Sequence, residues 1–178
     1  MADADESRTI GGSRSGAVLQ FYVLALAVAV VDQATKLVAV HTLAEGTETR
    51  ILGPIMSFSI HYNTGAAWGV LAAHTRWLTA VAAVLALLLA LYGLRSAQLP
   101  RLLSTGLALL LGGALGNLID RVRLEAVVDF IDFHVWPVFN VSDIAIVVGA
   151  ILVAYRVAWH GGAVEHHRTA EKTECDQC

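Results

Sequence analysis

The sequence predicts an all-α membrane protein: four transmembrane helices with a small extracytoplasmic β or amphipathic element. Three observations carry this prediction, namely composition, four long apolar runs, and the placement of basic residues. Of the 178 residues, 56% are hydrophobic and 15% charged, against about 45–50% and about 25% in an ordinary soluble domain. Mean hydropathy is +0.62, and the net charge of −3 with a pI near 6.1 argues against a nucleic-acid partner, because phosphate neutralisation needs a basic face.

Residues 1–16 are polar and need not fold. Spans of about 20 apolar residues, the length that crosses the hydrocarbon, are placed at about 17–40, 76–95, 102–121 and 141–159. The first follows Arg8 and Arg14 and contains Ala27-Val28-Ala29, as a cleavable signal peptide does. Hydrophobicity resumes after Asp32 and Lys36, however, which favours a retained helix. The second span carries no charge from Trp77 to Leu91 and is bracketed by Arg76 and Arg95.

With both termini in the cytoplasm, seven basic residues lie inside (Arg8, Arg14, Arg95, Arg101, Arg156, Arg168, Lys172) and four at the outer side (Arg50, Arg76, Arg121, Arg123). That asymmetry sets the orientation. The outer segments 41–75 and 122–140 carry Ile51, Met56, Phe58, Ile60 and Tyr62, and Val127, Val128, Phe130, Ile131 and Phe133. These patterns predict short strands or amphipathic pieces on the bilayer, where any chemistry belongs. Residues 160–178 form a polar cytoplasmic tail that need not fold. Its Cys175 and Cys178 lack the second pair a zinc site needs.

Ionisable residues inside a membrane are paired, interfacial or functional. Asp32 and Lys36 stand four apart on one helical face, in the order that favours pairing; a substrate contact is the other reading. Small residues from Gly112 to Gly116 permit close packing in lipid, and Asn117, Asp120 and Arg121 follow, open to reading as an Asp–Arg salt bridge. Asp129 stands among apolar residues, where lost hydration favours its neutral form. Asp143 falls in the first turn of the fourth span, where open N–H groups and the helix dipole favour an anion. Two such acids brought together resemble an aspartic dyad sharing one proton. Spacing alone leaves other roles open: Asp143 as a helix-terminal acid capped by Asn140, Asp129 as a loop acid, and Asp120 or Asp132 as rival partners. A Ser–Lys hydrolase would need Ser57, Ser59 or Ser142 beside Lys36. The seven histidines show no His-Glu-x-x-His spacing for a metalloprotease.

Five blocks make the pattern specific: Val31-Asp32-Gln33-Ala34-Thr35-Lys36; Asn63-Thr64-Gly65-Ala66-Ala67-Trp68-Gly69; Gly113 to Arg121; Val127-Val128-Asp129-Phe130-Ile131-Asp132; and Phe139-Asn140-Val141-Ser142-Asp143. In this order the chain resembles the bacterial lipoprotein signal peptidases, signal peptidase II, aspartyl peptidase family A8. The resemblance implies an intramembrane aspartyl endopeptidase of the bacterial cytoplasmic membrane over 17–159, its active site near the outer leaflet. The implied substrate is a diacylglyceryl-modified prolipoprotein, cut before the lipidated cysteine. It also implies Asp129 and Asp143 as the catalytic pair, with Asn63, Gly65, Asn117, Asp120, Arg121 and Asn140 shaping the pocket and Asp32 and Lys36 supporting it. A monomer in contact with membrane lipid is expected, with no metal or organic cofactor. Ser142 departs from the family, which more often has alanine there, and could add a hydrogen bond. The rival functions are a small transporter or proton-conducting bundle relaying through Asp32, Asp120 and Asp143, and a structural assembly factor.

Overall fold

The computed structural model describes residues 3–44, 46–65 and 75–175. Helix α1 runs Asp3–Thr42, followed by strands β1 (Thr49–Arg50) and β2 (Ser57–Asn63). Helix α2 (Thr75–Gly93), a 3-10 turn (Ser96–Gln98), α3 (Arg101–Leu124), β3 (Val127–Asp132) and α4 (Val141–Cys175) complete the chain. Among the described residues, four windows are long and apolar enough to span a membrane: Arg14–Thr42, Arg76–Gly93, Arg101–Leu124 and Val141–Trp159. They match the predicted spans to within about a turn at each end. The helical backbone of α1 and α4 continues into the polar ends, from Asp3 and as far as Cys175. Of the Cys175/Cys178 pair, Cys178 lies outside the described residues.

Helix α3 is the central element, with 44% of its span buried against 11% for α2. Its glycines explain this, because they let neighbouring backbones approach. A Cβ at Gly112 would meet the Ala25 carbonyl oxygen of α1 at 2.6 Å, and one at Gly113 the Ser142 carbonyl oxygen of α4 at 2.5 Å. Helix α2 packs at the edge, where the Tyr22 hydroxyl donates to the Ala90 carbonyl at 2.6 Å. Phe21, Ala25, Ala86, Ala108 and Leu111 form the buried cluster between α1, α2 and α3.

The strands form an antiparallel sheet in the order β1-β2-β3. In β2 the alternation is the reverse of a soluble strand. Ser57 and Ser59 are buried while Phe58 and Ile60 are half-buried and Tyr62 is exposed. The apolar face of β2 therefore looks outward, with Ile51, Leu52 and Ile55 also exposed, as suits a sheet lying against lipid. A bulge between Phe58 and His61 shifts the β2–β3 register and re-aims the end of β2.

Candidate active site

Three chain segments converge where the sheet meets the helix ends. Only Glu125 and Ala126 separate α3 from β3; Glu125 adopts φ 55° and donates its N–H to the Arg121 carbonyl at 3.1 Å. This tight turn brings β3 back along the end of α3, so that Asp120 Oδ2 accepts the Val128 N–H at 3.1 Å. The chain after β3 also folds back: Ile131 and Phe139 exchange N–H···O bonds of 2.9 and 3.1 Å. Asn140, next in sequence, thereby lands beside Asp129.

Asn140 then begins α4. Its Oδ1 accepts the Asp143 N–H at 3.0 Å, and its own N–H donates to Asp143 Oδ2 at 3.1 Å. This reciprocal pair is a capping box, with Asn and Asp in place of the usual Ser and Glu. The Asn140 Nδ2 faces the other way and donates to Asp129 Oδ1 at 2.7 Å. One fully buried side chain thus fixes both acids. The capping role left open for Asn140 and Asp143 and their place beside Asp129 hold together, because the backbone N–H and amide oxygen of Asn140 serve Asp143 while its amide nitrogen serves Asp129.

Each acid has a second donor. Asn63 Nδ2 reaches Asp129 Oδ2 at 3.0 Å. Antiparallel register pairs Asn63 with Val127 and His61 with Asp129, so Asn63 and Asp129 are diagonal neighbours on one face of the sheet. Gly65, at φ 82°, donates its N–H to Asn63 Oδ1 at 2.8 Å and orients that amide. Asn117 Nδ2 donates to Asp143 Oδ1 at 2.8 Å. Asp129 is 2% exposed. Burial pushes its carboxyl from 3.8 up to about 6; the donors Asn63 and Asn140 and the Lys36 charge pull it down, while the Asp143 charge adds to the rise. The two carboxyl groups therefore lie within reach of each other's field.

Below the acids is a buried ionic layer. Lys36 Nζ lies 2.8 Å from Asp32 Oδ2 and 2.7 Å from Asp120 Oδ2, and donates to Asn117 Oδ1 at 3.0 Å. Asp32 Oδ1 accepts the Ser142 N–H at 2.8 Å, tying α1 to the start of α4. The predicted Asp32–Lys36 pair is present. The Asp120–Arg121 bridge is not: consecutive helix residues point some 100° apart, so Asp120 turns inward to Lys36. Arg121 Nη1 instead approaches the Asn117 carbonyl at 3.5 Å, and its Nε has no partner among the described residues.

The rival acids are engaged elsewhere. Asp120 serves Lys36 and Val128, while Asp132 accepts the His134 N–H at 2.6 Å. No serine stands beside Lys36 among its contacts, as a Ser–Lys hydrolase would require. Asp32 and Asp120 share Lys36, and Asp143 is bonded instead to Asn117 and Asn140. The Ser142 hydroxyl is buried without a partner among the described residues, so the extra hydrogen bond expected of it is not made; it fills the space left by the missing Cβ of Gly116. Residues 66–74, which include Ala66, Ala67, Trp68 and Gly69 of the second block, lie outside the described residues.

One contributor was not singled out from sequence. Gln33 Nε2 donates to Asp120 Oδ1 at 2.8 Å and to the Gly116 carbonyl at 3.1 Å. Its place between Asp32 and Lys36 was the available signal. Gly116, expected to permit close packing, does so at the site itself, since a Cβ there would meet Asp32 Oδ2 at 2.6 Å as well as the Ser142 hydroxyl.

A family model described as signal peptidase (SPase) II matches residues 24–159. A lipoprotein signal peptidase of Burkholderia mallei (strain SAVP1) is 41% identical over 156 residues, covering 84% of this chain and 93% of the relative. One of Moorella thermoacetica is 39% identical over 145 residues, covering 81% and 96%. A bacterial membrane enzyme solved by the in meso method at 1.9 Å resolution is similar in fold, with a TM-score of 0.71 and 30% identity over 78% of this chain and 92% of that one.

Proposed function

The chain belongs to the signal peptidase II family, whose work is the processing of lipoprotein signal peptides, and from that membership we propose an aspartyl mechanism for it, with Asp129 and Asp143 as the catalytic pair. The observation that carries this reading is the Asn140 bridge, which touches both carboxyl groups at 2.7 and 3.1 Å. In this account Asp129, raised to about 6, holds the shared proton, and Asp143 draws a proton from the attacking water. Each step then has its partner: water adds to the scissile carbonyl while Asp129 donates to the developing oxyanion, giving a gem-diol; as the C–N bond breaks, the proton on Asp143 passes to the leaving amine and one gem-diol hydroxyl returns its proton to Asp129. Because the two acids titrate as one unit, apparent values belong to the pair.

The substrate proposed is a prolipoprotein carrying diacylglycerol on its cysteine, cut just before that residue. The outward apolar face of β2 and the exposed Val135 and Trp136 give the acids a lipid-facing surround, which suits a substrate arriving within the bilayer. Asn63, Asn117 and Asn140 hold the acids in place; Lys36 fixes the Asn117 amide, and Asp32 and Asp120 hold Lys36. The site is placed at the outer leaflet of the cytoplasmic membrane, with both termini inside, on the distribution of basic residues.

The test is incubation of the purified chain with a diacylated prolipoprotein and with its unlipidated counterpart. Cleavage before the modified cysteine, with the lipidated form preferred, supports the reading. Equal cleavage of both removes the lipid from substrate recognition. A transporter predicts flux across liposomes and no cleavage in detergent.

A further inference from the structure

A second concave site lies at the opposite end of the bundle. Arg14 and Asp32 are 18 residues apart on α1, or about 27 Å along a helix, so this site is separate from the acids. A cavity of about 560 Å³ opens between the beginnings of α1 and α3 and the 3-10 turn. Arg14 enters from α1 and Arg101 from the first residue of α3, with Ser104 and Thr105 beside them. Both arginines are exposed, and neither has an acidic partner among the described residues.

The lining changes character with depth in the membrane. On α1 it passes from Arg14 through Gln20 to Phe21 and Leu24, and on α3 from Arg101 to Ala108. Ten residues of helix from Arg14 to Leu24 span about 15 Å, from the headgroup level into the hydrocarbon. A bound molecule therefore meets two guanidinium groups and hydroxyls at one end and apolar side chains at the other. Guanidinium groups without an acidic partner among the described residues suit a phosphate, which they bind through paired N–H donors. Basic pockets between membrane helices at the interface take anionic headgroups for this reason.

We propose that this cavity binds the phosphodiester headgroup of an anionic phospholipid, between Arg14 and Arg101, with the start of an acyl chain against Phe21 and Leu24. Such a lipid joins α1 to α3 at the end away from the acids, so it stabilises the bundle without touching substrate.

The experiment uses the purified full chain in nanodiscs holding equal phosphatidylglycerol and phosphatidylcholine, with retained lipid read by native mass spectrometry. The wild-type chain is expected to keep phosphatidylglycerol in preference. Arg14→Gln/Arg101→Gln, checked for helix content by circular dichroism, is expected to lose that preference at least about tenfold. Arg14→Lys/Arg101→Lys is expected to keep a substantial part of it. Equal retention of the two lipids by the wild type overturns the proposal without reference to any variant, as does an unchanged preference in the Gln variant. Inorganic phosphate is the third arm: if it displaces the lipid and raises the melting temperature equally, the site is for a free anion and the lipid assignment fails.

Discussion

Lys36 decides which way the Asn117 amide faces. An ammonium group only donates, so the atom 3.0 Å from Lys36 Nζ must be the amide oxygen, which leaves Nδ2 to donate to Asp143 at 2.8 Å. The ionic layer thereby reaches the proposed catalytic pair through one reoriented amide, without contacting Asp143. Lys36→Met should break this chain and strand Asp32 and Asp120 as buried acids. Removing one partner of a buried pair costs about 3–5 kcal/mol, so the melting temperature in detergent should fall steeply. A variant with unchanged melting and unchanged kcat contradicts this role.

Gly116→Ala should separate α3 from α1 and α4, since its Cβ would meet Asp32 Oδ2 at 2.6 Å and the Ser142 hydroxyl. Overpacking of this kind costs about 1–3 kcal/mol. Gly116→Ala/Ser142→Ala should recover part of the loss, because one of the two obstacles is gone. Thermal melting of the four proteins in a double-mutant cycle measures the coupling; strict additivity would refute the contact.

The fold was legible where one residue pattern had one physical solution. Apolar runs of bilayer length gave the four spans, and the spacing of Asp32 and Lys36 gave their pair. The capping of α4 by Asn140 was readable because Asn favours that position. Two features were not readable, since they depend on elements far apart in the chain. Asp120 found Lys36, 84 positions away, in preference to its neighbour Arg121. Strand β2 turned its serines inward toward the polar interior of the bundle and its apolar side chains outward. Sequence alternation alone cannot say which face is which.

The raised Asp129 value predicts a pH dependence of stability. Between 3.8 and about 6 the folded chain holds a proton on Asp129 that the unfolded chain has lost, so stability falls as pH rises through this window. Asp129→Asn, which has no charge to bury, should flatten that fall. Melting curves of both proteins at pH 4 and pH 8 check it; a wild type more stable at pH 8, with the difference abolished by the substitution, has the opposite sign.

The same group should shape the pH profile of cleavage. If protonated Asp129 is required, kcat/KM falls as pH rises above about 6. Asn140→Ala removes a donor that lowers the Asp129 value, so the basic limb should move to higher pH while kcat drops. Loss of the α4 cap should cost about 0.5–2 kcal/mol as well. A limb that stays in place while only stability changes would leave Asn140 as a cap alone.

The most direct measurement is cleavage of a diacylated prolipoprotein reporter by purified Asp129→Asn and Asp143→Asn, each shown to be folded by its melting curve. The account predicts that both lose cleavage by about a thousandfold or more, since neither carboxyl can replace the other. Near-normal turnover by either variant would contradict it.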